Sequence, residues 1–271
     1  MSAAYLLLCH RPPHYWAALA RACPETRFYL HYDAKSDIRD LDFLRPIGNI
    51  IPIGSRTAVN WGGYSMVAAT LDLMRAALDD TRNSQFHLAS GQCVLLQHPD
   101  TLGREFGRQP ENTLLLDSRP TLRLRYRTRF DTPHADTAWQ RRPAGKILTK
   151  CFQAADRLLP SAVPAYTGSQ WFSARRGALS ALLELAETGY AERFCRKLCP
   201  DEHFFQTIAA EHPEHFTLIP GHRRFIRFAP RANHPDLLGL DELRRAAAAG
   251  YWFARKVDGH TASAFLQETV P

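Results

Sequence analysis

Six cysteines in 271 residues, three methionines and the lack of any long apolar run narrow the possible classes of protein. Cys9, Cys23, Cys93, Cys151, Cys195 and Cys199 are too few and too scattered for a disulfide scaffold in a chain of this length, and read as buried thiols. Cys195 and Cys199 have no second Cys-x-x-Cys and no histidine cluster beside them, so zinc lacks a ligand set. The apolar stretch in "MSAAYLLLCH" runs for only about five residues, far below a signal core or a membrane span. No basic leader precedes it, and a soluble, cytoplasmic protein is the expectation. No G-x-G-x-x-G follows the first apolar run and no P-loop is present, which disfavours dinucleotide and ATP binding. There is no internal repeat, no low-complexity linker and no lysine block. The formal charge of +7 comes from 34 basic and 27 acidic residues, with arginine spread through the second half. That distribution suits a small anionic substrate and not a wrapped nucleic acid. Nothing in the sequence sets an oligomeric state.

The composition is 45% hydrophobic, enough for a large core in one α/β domain over 1–271. Residues 4–10, 27–33 and 49–53 are short apolar runs of the buried-strand type, with a helix-like segment at 15–22 between the first two. Strand, helix, strand at this spacing predicts a βαβ unit and a mixed, mostly parallel sheet flanked by helices. Residues 64–80 put Val67, Leu71, Met74 and Leu78 on one face, the clearest helical period in the chain. A strand is expected over 84–96, running into a tight Ser90-Gly91-Gln92 turn. Between 117 and 160 the period fails, and the segment reads as a basic, irregular or partly helical insert. A strand, turn and helix follow from Tyr166, then a helix at 200–211, a strand near 215–220, a basic segment 222–231, a helix 241–249 and the closing "YWFARKVD".

A parallel sheet binds ligands at the carboxyl ends of its strands. Those ends are Cys9-His10-Arg11, Asp33-Ala34-Lys35 and Ser90-Gly91-Gln92. Asp33 suits a hydrogen bond to a ribose or base edge, and equally an ordinary turn. Nucleotide-sugar glycosyltransferases of the GT-A fold usually hold a divalent metal with a D-x-D at the end of the central strand, yet "FHLASGQ" ends without a carboxylate. The only literal D-x-D, Asp40-Leu41-Asp42, reads as solvated surface, so no metal is expected. Without a metal, a bound diphosphate needs fixed cations. The C-terminal third offers Arg223, Arg224, Arg227, Arg231, Arg255 and Lys256, of which Lys256 lies in the most apolar setting. In "LCPDEHFFQT" the acids Asp201 and Glu202 follow Pro200 as a helix start would have them, and the residues alone do not separate the two.

Six stretches taken together resemble the core-2/I-branching β-1,6-N-acetylglucosaminyltransferases, glycosyltransferase family 14, which also holds the peptide O-xylosyltransferases. They are "LHYDAKSD", "AVNWGGYSMVAATLDLMRAAL", "FHLASGQCVLL", "GSQWFSARR", "CPDEHFFQTI" and "FARKVD", in the family's order over nearly the whole chain. The resemblance implies a GT-A-like single domain, an inverting reaction and independence from metal. It implies Glu202 as the general base, with Asp201 as a capping or supporting acid. It places the uridine end of a UDP-sugar at Cys9, His10, Asp33 and Lys35, a donor contact at Trp61 and phosphate binding at Lys256. Read by itself, Trp61 is equally a core tryptophan before two turn glycines. Trp171 resembles a residue lining the cleft floor, with core packing as the competing reading.

The chain departs from the family at the second phosphate-binding cation. Asp236 stands where a base is expected, so Arg231 is the first choice and Arg224 or Arg227 the fallback. The insert arginines Arg123, Arg125 and Arg127 are expected to form an acceptor wall. The expected activity is transfer of N-acetylglucosamine from a UDP donor to a hydroxyl of a glycan or lipid-linked acceptor, as in bacterial polysaccharide biosynthesis. UDP-xylose is the alternative donor, and a non-catalytic glycan-binding protein on a decayed transferase fold is the alternative class. The basic surface also suits peripheral contact with an anionic inner membrane.

Overall fold

The computed structural model describes residues 2–159, 161, 163–230, 232 and 234–269. Twelve strands are present among them: β1 (Ser2–Cys9), β2 (Arg27–Tyr32), β3 (Ile50–Pro52), β4 (Asn83–Ser90), β5 (Cys93–Leu95), β6 (Thr113–Leu115), β7 (Arg119–Thr121), β8 (Ala165–Thr167), β9 (Ser173–Arg175), β10 (Thr217–Ile219), β11 (Arg224–Ile226) and β12 (Phe253–Arg255). Seven form one sheet in the order β10-β6-β9-β4-β1-β2-β3, parallel throughout except for β9, which runs against both its neighbours. All of β4 is buried, as a central strand covered on both faces must be. The apolar run of β1 divides by its period of two. Tyr5, Leu7 and Cys9 join a cluster with Trp16, Phe28 and Phe253, while Ala4, Leu6 and Leu8 join one with Met74, Phe172 and Phe204.

The expected strand at 84–96 is two strands. After the turn at Gly91, β5 leaves the main sheet and pairs antiparallel with β12, which runs parallel to β11. This small sheet carries the end of β12, and with it Arg255 and Lys256, beside the carboxyl end of β4. The expected helix at 200–211 is also divided. Pro200–Glu202 forms a separate 3-10 turn, entered through Cys199 at φ 49°, and the α-helix starts only at Phe204.

The segment 117–160 is more ordered than its sequence suggests. β7 pairs antiparallel with β8 and closes the segment, and Pro143–Leu158 is, at 16 residues, the longest helix among the described residues. Its period was hidden because its inward face, packed against the rest of the segment, is mostly small or polar. Gly145 lies against the Trp139 carbonyl, Thr149 meets His134 at 2.8 Å, and Asp156 pairs with Arg125 at 2.9 Å and Arg129 at 3.2 Å. Among the described residues, no helix is long and apolar enough to cross a membrane.

The two glycines after Trp61 have separate reasons. Gly62 has φ 70°, a conformation other residues rarely adopt. Gly63 lets Asp136 of the insert approach and cap the helix Tyr64–Leu78, accepting from Ser65 N–H at 2.9 Å and from its hydroxyl at 2.7 Å. A Cβ at Gly63 would lie 1.9 Å from the Asp136 carboxylate. Gly63→Ala is therefore expected to expel the cap and destabilise the protein by about 1–2 kcal/mol. Urea denaturation checks this, and a midpoint equal to that of the unaltered protein would refute the capping role.

Candidate active site

The carboxyl ends of β1, β2, β4 and β12 surround a cleft of about 830 Å³. Cys9, His10, Asp33, Trp61 and Trp171, all expected at the site, line it, together with Gly91, Gln92, Gln170 and Arg255. Burial pushes the Cys9 thiol well above its ordinary range, so it acts as a wall atom and not as a nucleophile. His10 is pushed below its ordinary value, first by burial and then by Arg11, with Arg255 and Lys256 adding to the effect and Asp33 opposing it. One neutral imidazole thus marks where three cations and a carboxylate converge. Asp33 is buried and accepts from the Lys35 N–H at 2.9 Å, so the turn reading of this aspartate is realised at the cleft wall itself. Lys35 does not line the cleft. Its ammonium donates to the Val59 carbonyl and to Asn60 at 3.1 Å, bracing the loop that leads to Trp61.

Trp61 is 50% exposed and therefore not a core residue. Arg141 lies over its ring at 5.1 Å and His234 is 5.8 Å from it. Trp171 satisfies both readings: it is buried in the core, yet its ring faces the cleft.

The cation positions differ from those expected. Arg224 is buried and donates to the main-chain carbonyls of Phe172, His222 and, at 3.1 Å, Leu88, so it ties β11 to the main sheet instead of facing a ligand. Arg227 is held by Asp236 at 3.0 Å and by Glu242. Arg231 lies outside the described residues. The guanidinium in the cleft belongs to Arg255. It donates to the Ser90 hydroxyl at the end of β4 and lies 4.8 Å from the Trp171 ring centroid. Neither Arg255 nor Lys256 has an ion-pair partner among the described residues. Asp40 and Asp42 of the D-x-D are engaged elsewhere, by the Tyr32 hydroxyl at 2.9 Å and by Arg45 at 2.7 Å. No group of three or more metal-ligating side chains occurs among the described residues.

A second cleft shares the wall formed by Trp61, Gln170, Trp171 and Arg255, and contains Asp201 and Glu202. The side chain of Glu202 is 45% exposed and accepts from Arg127 at 2.6 Å. Its backbone carbonyl accepts from the Gly168 N–H, and a Cβ at Gly168 would lie 1.8 Å from the Asp117 carbonyl, so this wall is closely packed. Of the three insert arginines expected in an acceptor wall, only Arg127 reaches the acid. Arg125 is taken by Asp156, and Arg123 is exposed and lines neither cleft. Asp117 and His222, 3.1 Å apart in the second cleft, were missed by sequence reading. Asp117 follows the apolar run of β6 just as Asp33 follows β2, and that signal would have found it.

Asp201 does not cap the following helix. Its Oδ1 is enclosed without a hydrogen-bond partner, and burial together with the neighbouring Glu202 pushes its pKa from 3.8 up to about 7. Asp201 therefore keeps its proton up to about pH 7, next to the Glu202 carboxyl group that accepts from Arg127. Between pH 4 and 7 the folded state retains a proton that the unfolded chain has released, so this group's contribution to stability is complete at low pH and is lost as pH rises toward 7. Asp201→Asn is expected to flatten that part of the stability profile. Denaturation midpoints across this range measure it, and an unchanged slope would place the proton elsewhere.

Residues 3–245 match the model of the Core-2/I-Branching enzyme family. No curated protein matches the chain. Among solved structures, mouse xyloside xylosyltransferase 1 in its apo form is similar at 14% identity and a TM-score of 0.36, covering 80% of this chain and 85% of that one. Mannose-1-phosphate geranyltransferase from Thermus thermophilus is similar at 10% identity and a TM-score of 0.34, covering 82% and 75%. The seven-stranded, mostly parallel sheet flanked by helices is the mixed α/β architecture that the sequence implied. With most of its length matched by that family model, the chain belongs to the Core-2/I-Branching enzyme family and is a glycosyltransferase.

Proposed function

We propose that the protein transfers a sugar, with N-acetylglucosamine the first choice, from a UDP donor to a hydroxyl of a glycan or lipid-linked acceptor, with inversion and without a metal. The observation that carries this reading is the pairing of two unlike sites across one wall: Arg255, followed in the chain by Lys256 and like it without an ion-pair partner among the described residues, and the solvent-facing carboxylate Glu202 in the adjoining cleft. The donor's uridine end would lie against His10 and Asp33 and its diphosphate against Arg255 and Lys256, where a low local dielectric strengthens the attraction.

Glu202 takes the proton from the acceptor hydroxyl as that oxygen bonds to the anomeric carbon. The bond from that carbon to the diphosphate oxygen breaks on the opposite face, and its electron pair leaves with the diphosphate, whose charge the two cations offset. The proton held by Asp201 keeps a second negative charge away from the base. Trp61 and Trp171 offer ring faces on which a sugar can stack, and Gln170 between the clefts offers hydrogen bonds for its hydroxyls.

UDP release and sugar transfer measured in EDTA with UDP-N-acetylglucosamine, UDP-xylose and UDP-glucose test the reading. Glu202→Gln is expected to lower transfer by roughly 10²–10⁴-fold. Arg255→Met is expected to weaken UDP binding while leaving the fold intact. Loss of activity in EDTA would overturn the metal-free mechanism, retention of the donor's anomeric configuration would overturn inversion, and full activity of Glu202→Gln would overturn the assignment of the base. No turnover with any donor, and none lost in Glu202→Gln, would favour a binding protein on a transferase fold.

A further inference from the structure

The helix Pro143–Leu158 is built the reverse way to an ordinary surface helix. Gly145, Thr149, Phe152 and Asp156, spaced four, three and four residues apart, face inward against the rest of the insert. Ile147, Cys151, Ala154 and Leu158 repeat that spacing two residues later, which rotates them to the opposite side, and all four are exposed. Ile147 is 63% and Leu158 82% exposed. Of the eleven large apolar residues that are exposed among the described ones, six (Leu122, Trp139, Ile147, Leu158, Leu159 and Val163) belong to this lobe. Leu122 and Val163 lie at the same end of the β7–β8 ladder, where Thr121 pairs with Ala165. Apolar surface concentrated in this way marks a contact face.

Charge identifies what the face contacts. Between residues 137 and 159 every exposed charged side chain is basic: Arg141, Arg142, Lys146, Lys150 and Arg157. The single acid, Asp156, is buried and holds Arg125 and Arg129. Lys146, Lys150 and Arg157 form one stripe along the helix, bordering the apolar one. A second copy of the chain docked by two-fold symmetry would set this cationic stripe against itself. An anionic bilayer meets both features, with acyl chains for the apolar stripe and phosphates for the lysines beside it.

We propose that this helix face docks on an anionic lipid bilayer. Docked so, the lobe holds the second cleft next to the membrane, because Trp61, Arg127 and His234 connect the two: they line the depression under Lys146 and Lys150, Trp61 and His234 also line the second cleft, and Arg127 holds its Glu202. An acceptor carried on a lipid could then present its sugar to Glu202 without leaving the surface. The docking itself does not rest on the proposed reaction.

Flotation of the full chain with phosphatidylcholine vesicles, with and without about 30% phosphatidylglycerol, tests it. Binding is expected to the anionic vesicles only and to weaken with salt. Lys146→Gln with Lys150→Gln should reduce partitioning by roughly fivefold per cation removed, and Ile147→Glu with Leu158→Glu should abolish it while donor hydrolysis is unchanged. An environment-sensitive fluorophore on Cys151, in a Cys195→Ser background, should shift to the blue on adding anionic vesicles, a readout that needs no core-altering variant. No binding to anionic vesicles, equal binding to neutral ones, or a dimer that Ile147→Glu dissociates in the absence of lipid would each overturn the proposal. Because vesicle binding is read without turnover, its failure is distinct from failure of the catalytic reading.

Discussion

A guanidinium held at the carboxyl end of the central strand, with no carboxylate paired to it among the described residues, is the constraint around which the site is arranged. Arg255 is fixed by the Ser90 hydroxyl on one side and the Trp171 ring on the other, and it forms part of the wall between both clefts. Holding an unpaired cation there is costly unless an anion completes the site. Several departures from a plain α/β sheet follow from bringing this residue to β4: the turn at Gly91, the exit of β5 into a second sheet, and the buried Arg224 that binds the two sheets through main-chain carbonyls. Burial pushes the Arg224 pKa down to about 9, which still leaves it charged at neutral pH.

The insert depends on a different device. Its contacts with the body include polar latches, Asp136 on the first turn of the helix Tyr64–Leu78 and Arg127 on Glu202, while Arg125 and Arg129 hold Asp156 within the lobe. Polar contacts of this kind fix geometry through direction, whereas apolar packing tolerates sliding. The lobe is thereby held in register with the Glu202 carboxylate it touches, and its apolar residues are left free to face outward. The same Asp136 explains why Trp61 is followed by two glycines, since one makes the turn and the other admits the carboxylate.

Much of the central fold was legible because buried parallel strands are short continuous apolar runs, and β1, β2 and β3 lie where such runs occur. The helix Tyr64–Leu78 was legible because its apolar period faces the core. Pro143–Leu158 was not, because its apolar period faces away from the core and its inward positions are a glycine, a threonine and an aspartate besides Phe152. At the site, Cys9, His10, Asp33, Trp61 and Trp171 all line the first cleft. Lys35 and Arg125 do not, because each is held by nearby acceptors, and such local partners leave no trace in the order of residues along the chain.

By itself the sequence determined which segments must be buried and which residue types end them, since burial of apolar runs and the conformational limits of glycine and proline act locally. It thereby located the strand ends at which a ligand binds, and left Asp201 and Glu202 as a pair of neighbouring acids. The resemblance singled out Glu202, and only the tertiary structure gives the two acids different surroundings. Asp201 is enclosed with an unpartnered oxygen and holds the proton, whereas Glu202 faces solvent beside Arg127, from a segment about 75 residues earlier in the chain. It likewise brings Arg255 to the cleft wall and holds Arg224 and Arg227 by other partners. Proton affinity and free charge depend on what the fold brings within a few ångströms, and in this chain those neighbours are distant in sequence.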